Sequence, residues 1–244
     1  MIEELVALLL APLLLAQGRR ARSAALVLPE ADGPRSGRHG AFTRVLRVLI
    51  VGDSAAAGVG VATQDEALAG QLVRALAAAL PRTAIEWRLI ARTGVTTREA
   101  LAMLRGEDSQ VFDVVVVALG VNDVTSGARV AHWLAAMAEL LAELRERWGA
   151  PTVLVSGLPP MHRFPLLPQP LRWYLGRRAR RLDVALATWA RAQQAVRHVA
   201  LPDADPSLIA ADGFHPGAGA CAIWGERLAA EIVGRRAAEK RTAP

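Results

Sequence analysis

Residues 45–60 read V-L-R-V-L-I-V-G-D-S-A-A-A-G-V-G, and this stretch decides the fold. An apolar, largely β-branched run stops abruptly at Gly52-Asp53-Ser54, and small residues follow. A run of that kind reads as a buried strand. It delivers one serine to a sharp turn where little side-chain bulk surrounds it. In open α/β sheets, strand ends of this kind are where ligands bind. Ser54 is therefore the candidate nucleophile, and the rest of the chain is read for what such a serine needs.

Downstream the pattern alternates between strand and helix. Thr63-Gln64-Asp65-Glu66 has the form of a capping box and predicts a helix to about Leu80, closed by Pro81. Ala84–Ala91 reads as a second strand. A second capping box, Thr96-Thr97-Arg98-Glu99, opens a helix to about Arg105. Asp113–Leu119 is the clearest strand, its unbroken apolar run implying that both faces are covered. Further helices are expected over 129–148, 171–194 and 218–235, and further strands over 152–156 and 196–201. This regular alternation predicts a doubly wound, five-stranded parallel sheet with helices on both sides, an α/β/α sandwich.

The chain has 244 residues, enough for one large domain or a domain with a small appendage, and 52% of it is hydrophobic, ample for a core. A single cysteine, Cys221, excludes an intrachain disulfide and any cysteine-based metal cluster. The five histidines lack paired ligand spacing, so no metal is expected. The net charge of +6 is carried almost wholly by arginine. Those arginines sit among glutamates on helices, as in residues 141–147, which reads as a solvated face. No basic run is interleaved with aromatics, so no nucleic-acid partner is expected. Glycines at 52, 58 and 60 invite comparison with a phosphate cradle, but no G-K-[ST] follows and no lysine is near.

Residues 5–16, L-V-A-L-L-L-A-P-L-L-L-A, are almost wholly apolar but too short for a spanning helix, and Pro12 interrupts them. Glu3 and Glu4 precede them, whereas a secretory signal opens on positive charge. Arg19, Arg20, Arg22, Arg35 and Arg38 follow, and the positive-inside rule would keep that flank and the body behind it in the cytoplasm. Three readings stay open: a membrane-surface contact, a helix packed on the domain or on a partner, and an uncleaved or atypical export signal. Residues 29–40 are rich in Pro and Gly and read as a linker or surface loop. Two regions are thus expected: 1–42, the hydrophobic segment and linker, and 43–244, the body.

The residues just after each strand supply the chemistry. Gly52-Asp53-Ser54 follows the first, Arg92-Thr93-Gly94 the second and Gly120-Val121-Asn122-Asp123 the third; Asp212-Gly213-Phe214-His215-Pro216 comes some way after the last. A nucleophile, a bare backbone amide, a carboxamide and an Asp-x-x-His pair arriving at one edge form the parts list for acyl transfer. Serine needs a base, and His215 can take and return a proton near neutral pH. Asp212, three residues earlier, can orient the imidazole, with Asp203 and Asp205 as competitors for that place. The N–H groups of Ser54 and Gly94 and the side chain of Asn122 are candidate donors to an oxyanion.

These residues also carry a resemblance to the SGNH hydrolases, which include the GDSL esterases and lipases. Ser54 in Gly-Asp-Ser, Gly94, Asn122 in Gly-Val-Asn-Asp and His215 in Asp-Gly-Phe-His-Pro match the four residues for which that family is named. The resemblance covers roughly Val45 to the C-terminus. It implies a flavodoxin-like sheet, a Ser54–His215–Asp212 triad, no metal and no cofactor. It also implies hydrolysis of esters and, in some members, of thioesters, acetylated sugars or lysophospholipids. The fourth residue of the Gly-Asp-Ser-Leu block is Ala55 here, which weakens the narrow label and leaves the chemistry intact.

Several residues are given ordinary roles. Asp53 and Asp123 are read as turn caps. His132 and His198 are read as solvent-facing or packed on their own elements, and Cys221 as a small buried filler. The stretch 157–174 carries five prolines and an apolar surface. It is expected either to wall a substrate pocket through Phe164 and Leu167 or merely to cover the sheet. The expected activity is a serine esterase acting on short- to medium-chain acyl esters. A lysophospholipase, thioesterase or carbohydrate O-deacetylase is the alternative, and a catalytically dead membrane-tethered binding module is the non-enzyme alternative.

Overall fold

A computed structural model describes residues 6, 8–149, 151–201 and 205–242, with side chains to 236. The elements in order are α1 (Ala11–Ala24), β1 (Ser36–His39), β2 (Val45–Gly52), α2 (Leu68–Ala79), β3 (Ala84–Ala91), α3 (Thr97–Gly106), β4 (Val114–Ala118), α4 (Val121–Thr125), α5 (Val130–Arg147), β5 (Thr152–Ser156), α6 (Leu171–Arg191), β6 (Val196–Val199) and α7 (Ala218–Thr242).

The sheet follows from the pleat. Leu46, Val48 and Ile50 of β2 and Val114 and Val116 of β4 point to one face, where Leu68, Leu72 and Leu76 of α2 and Trp224, Leu228 and Ile232 of α7 pack on them. Leu49, Val51, Val115 and Val117 point to the other, against Leu101 and Leu104 of α3, Trp133, Met137 and Leu140 of α5, and Leu182 and Leu186 of α6. Both faces are covered, as the unbroken apolar runs require. The strand order is β1-β3-β2-β4-β5-β6. Numbered among themselves, the five parallel strands β2 to β6 stand in the order 2-1-3-4-5, the flavodoxin-like arrangement. The order reverses between β2 and β4, and a crevice opens there beyond their carboxyl ends.

Two expectations about the first third of the chain need correction. The stretch 29–40, read as linker or surface loop, contributes a sixth strand: β1 pairs antiparallel with β3, Ser36 opposite Arg88 and His39 opposite Ile85. Its side chains are exposed, so an edge strand of this kind has no apolar alternation to betray it. The Thr63–Glu66 box does not open a helix. Asp32 bridges to Thr63, and the Gln64 N–H donates to Asp32 O at 2.7 Å, which holds that segment out of helical geometry. Glu66 instead closes a turn, accepting from the N–H groups of Ala62 and Thr63, and α2 starts at Leu68. The Thr96–Glu99 box forms as expected, Glu99 accepting from Thr96 N–H at 2.8 Å.

The N-terminal helix α1 lies on the body. Leu14 is buried in the core and Leu10 packs against it, while the Gln17 side chain donates to Gln169 O at 2.7 Å and accepts from Leu171 N–H at 3.1 Å. Among the described residues, no helix is long and apolar enough to cross a membrane. Residues 5 and 7 of the apolar segment lie outside the described residues.

Leu72 is fully buried between α2, the sheet and α7. Leu72→Ala should lower unfolding stability in urea by about 2–5 kcal/mol with little change in the slope of the transition.

Candidate active site

The crevice at the reversal of strand order receives the ends of β2 and β4. Backbone bonds fix the turn that follows β2: Asp53 N–H donates to Ala118 O at 3.3 Å, Ala57 N–H to Asp53 O at 2.9 Å and Val59 N–H to Ser54 O at 3.0 Å. Ser54 thus sits on a hydrogen-bonded turn, 8% exposed. The turn holding His215 comes against it from the far end of the chain. Gly60 makes this approach possible: its φ is +109°, and a Cβ there would meet Pro216 O at 2.6 Å.

The three expected catalytic side chains form one chain of contacts. His215 Nε2 lies 2.9 Å from Ser54 Oγ. His215 Nδ1 lies 2.5 Å from Asp212 Oδ2. The other oxygen of Asp212 accepts from the N–H groups of Phe214 and His215, at 2.9 and 3.0 Å. The i,i+3 spacing allows this because the Asp212 carboxylate caps the tight turn that carries the histidine. Of the two competitors, Asp205 caps the short 3-10 turn Pro206–Leu208 through Ser207 N–H, and Asp203 lies outside the described residues.

Asn122 is the second residue of α4, a short helix that the sequence pattern did not reveal. Its Nδ2 donates to Val95 O at 3.0 Å and stands 3.5 Å from Asp53 Oδ2. Gly94 lies on the exposed turn after β3 with φ +82°, and a Cβ there would meet nothing within 4 Å. That turn runs beside the end of β2, Arg92 N–H reaching Gly52 O at 3.4 Å. The two acids read as turn caps differ from one another. Asp53 does cap its turn, accepting from Ala55 N–H at 3.1 Å. Asp123 instead reaches across to the start of α3, where it accepts from the Thr97 N–H at 3.0 Å and hydroxyl at 2.9 Å, and Trp133 Nε1 donates to that hydroxyl at 3.0 Å.

The carboxylates have opposite electrostatics. Burial pushes up the Asp212 carboxyl, yet the bonds from the His215 ring and from the His215 and Phe214 N–H groups outweigh it and hold the group below its ordinary range. Asp53 is pushed up to about 7, chiefly by burial, with Asp123 nearby adding to the rise and the bond from Ala55 N–H opposing it. Burial likewise raises Asp123 against its bonds from Thr97. The Cys221 thiol, buried as expected, is pushed up to about 12.

A cavity of about 160 Å³ opens beside Ser54 and His215, walled mainly by Leu158, Pro160, Phe164, Leu208, Phe214 and Trp224. Phe164 meets the Phe214 ring edge-on at 5.0 Å, and Phe214 meets the His215 ring at 5.2 Å. The Pro-rich stretch therefore contributes to the wall through Gly157–Pro160 and Phe164. Leu167 is not among the lining residues; it is buried in the core. His198, read as an ordinary strand residue, bonds Asp183 Oδ1 at 2.8 Å, and the same oxygen accepts from Leu158 N–H at 2.9 Å. That pair anchors the start of the wall. Among the described residues, no group of three or more His, Cys, Asp or Glu side chains is placed to hold a metal ion.

The sequence model of the GDSL-like lipase/acylhydrolase family matches residues 50–222. No curated protein matches in sequence. Among solved structures, the psychrotrophic esterase EstA from Pseudoalteromonas sp. is 18% identical with a TM-score of 0.60, over 78% of this chain and 98% of that one. TesA is 22% identical with a TM-score of 0.57, over 77% and 99%. Est24, a carbohydrate acetylesterase from Sinorhizobium meliloti, is 19% identical with a TM-score of 0.57, over 78% and 99%. At these identities the structural likeness speaks for the fold alone.

The raised Asp53 carboxyl yields a pH signature. An unfolded chain releases this proton near its ordinary value, and the native chain holds it to about 7. Its stabilising contribution is therefore complete below about pH 4 and is lost as pH rises to 7. Asp53→Asn keeps the acceptor for Ala55 N–H and cannot ionise. Relative to wild type, the variant should gain on the order of 2–4 kcal/mol in urea unfolding between pH 4.5 and pH 8.

Proposed function

We propose, from the premise that the chain belongs to the GDSL-like lipase/acylhydrolase family and is a carboxylic ester hydrolase, that it cleaves short- to medium-chain acyl esters through an acyl-enzyme on Ser54. The observation that carries this reading is the unbroken chain Ser54 Oγ, His215 and Asp212, at 2.9 and 2.5 Å, opening on an apolar cavity.

Ser54 Oγ attacks the ester carbonyl carbon as its proton passes to His215 Nε2. Asp212, held ionised by its three hydrogen bonds, keeps the Nδ1 proton on the imidazole and stabilises the imidazolium. The carbonyl oxygen becomes an oxyanion, with Ser54 N–H, Gly94 N–H and Asn122 Nδ2 as donors. One proton of Nδ2 stays on Val95 O; the other has only the long contact to Asp53 and can turn to the oxyanion. The intermediate collapses, the C–O bond to the alcohol breaks, and His215 returns its proton to the leaving oxygen. Water then repeats the cycle on the acyl-enzyme, giving the acid and free Ser54.

The apolar wall favours an acyl chain over a sugar. A carbohydrate in the cavity would need partners for its hydroxyls. Of the polar side chains there besides the triad and Asp53, Ser156 is already bonded to Trp224 Nε1, and Asp205 serves its own turn. Ser54→Ala should abolish nearly all turnover of p-nitrophenyl esters in a folded protein, and Asn122→Ala should cost roughly 10²–10³ in kcat. Across a chain-length series, Phe164→Ala should move the optimum to longer acyl groups. Leu167→Ala, behind the wall, should leave the optimum in place and cost roughly 2–5 kcal/mol of stability.

A membrane partner is also proposed, and exposed leucines favour it. Leu8, Leu9, Leu13 and Leu15 project from the region of α1, 71%, 74%, 45% and 62% exposed, and the exposed Arg19, Arg20 and Arg22 follow. Apolar insertion backed by cations fits an anionic lipid surface. The protein should float with vesicles containing phosphatidylglycerol, not with phosphatidylcholine alone. Leu8→Ser/Leu9→Ser/Leu13→Ser should remove flotation and leave turnover of soluble esters unchanged; flotation by that variant would refute the surface.

A further inference from the structure

The stretch from Glu30 to Arg35 threads between the two turns that frame Ser54. On one side, Ala31 N–H donates to Ala57 O at 3.2 Å, and the buried Gln64 side chain donates to both Ala31 O and Ala57 O, at 3.2 and 3.0 Å. On the other, Glu30 Oε1 accepts from both the N–H and the hydroxyl of Thr93, each at 2.7 Å. Glu30 Oε2 pairs with Arg35 at 2.5 Å, and Arg35 in turn donates to Ala91 O, the last carbonyl of β3, at 2.6 Å. Partial burial pushes the Glu30 carboxyl up, but its bonds to Thr93 and Arg35 hold it below the ordinary range, so it is a carboxylate at neutral pH.

The Thr93–Gly94 turn has little else to hold it. Thr93 and Gly94 are exposed, and beyond the neighbouring residues no atom lies within 4 Å of where a Gly94 Cβ would stand. Arg92 N–H on Gly52 O and the buried Val95 hold its two ends, and between them the fixed points are Glu30 on Thr93 and Asn122 on Val95 O. A donor to an oxyanion works only if it is in place before charge develops, and small displacements of such groups are costly. We infer that Glu30, oriented by Arg35, is a positioning residue that sets the Gly94 amide for the oxyanion. The inference rests on the reading of Gly94 as a donor. It gives a segment ahead of the family-matched region a role in catalysis that does not require it to touch substrate.

The test compares wild type with Glu30→Ala, Glu30→Gln and Thr93→Ser on p-nitrophenyl butyrate, alongside an alkyl trifluoromethyl ketone that mimics the oxyanion adduct. Glu30→Ala should lower kcat roughly tenfold to a hundredfold while KM moves by less than about twofold, and ketone affinity should fall with kcat. Glu30→Gln keeps an acceptor for Thr93 N–H and should recover most of the loss; Thr93→Ser keeps both bonds and should match wild type. A purely structural role would lower the melting temperature and the active fraction without changing ketone affinity per active site. Wild-type kcat in Glu30→Ala overturns the inference, as does a fall in kcat with ketone binding unchanged. If Glu30→Ala does not fold, Glu30→Leu, which fills similar space without an acceptor for Thr93, decides on the same pair of readouts. Wild-type protein without Ser54-dependent ester turnover overturns the hydrolase reading and this inference together, whereas an active wild type with an unaffected Glu30→Ala overturns this inference alone.

Discussion

Strand β2 lies between two parallel neighbours, so its backbone groups are satisfied on both sides until Gly52, where the ladder stops. The polar groups just beyond cannot remain unpaired in a buried place. They find partners in a turn of defined shape, Asp53 N–H on Ala118 O and Ser54 O on Val59 N–H. The serine inherits its position from that requirement. Because β3 and β4 flank β2 on opposite sides at this point, the crevice into which Ser54 faces is a product of chain order.

Two carboxylates stand near the serine, and their surroundings give them different charges. Asp212 has three hydrogen bonds from groups that prefer an anion, two of them backbone N–H groups of its own turn. Asp53 has one good donor, Ala55 N–H, and a long contact to Asn122, in a place nearly sealed from water. Burial, helped by Asp123, therefore outweighs the hydrogen bonds at Asp53 and is overcome by them at Asp212. The acid next to Ser54 in sequence holds its proton to about 7, and the acid far from it in sequence is the anion that pairs with His215. Proximity along the chain is a poor guide to electrostatic role, whereas the count of donors is a good one.

The parallel core was legible because burial on both faces leaves unbroken apolar runs such as Val114–Ala118, and a strand end followed by small residues marks a turn. The pairing of Asp212 with His215 was legible because three residues span one tight turn. Other features depend on contacts that no local pattern records. β1 is a polar edge strand paired through its backbone alone. The Thr63–Glu66 box has the composition of a helix start, but a bridge to Asp32 decides its conformation. His198 and Asp183 meet across strand and helix, and Leu167 packs into the core with residues distant in sequence. In each case a tertiary partner overrides what the neighbouring residues would favour.

The segment ahead of β2 shows how such a partner can matter to chemistry. Glu30 and Thr93 are 63 residues apart, and neither has an intrinsic reason to be ordered. Ordering a surface turn costs conformational entropy. One ionised side chain that accepts two hydrogen bonds from a single residue offsets that cost at the Thr93–Gly94 turn. Arg35 completes the arrangement by fixing the carboxylate from behind and tying it to the end of β3. A turn stiffened from within, by larger or branched side chains, would crowd the approach of substrate to Gly94. Stiffening it from outside, through Glu30 on Thr93, adds no side chain to Gly94 itself. In the proposed role of Gly94, the exposed glycine and the remote glutamate answer one steric problem together.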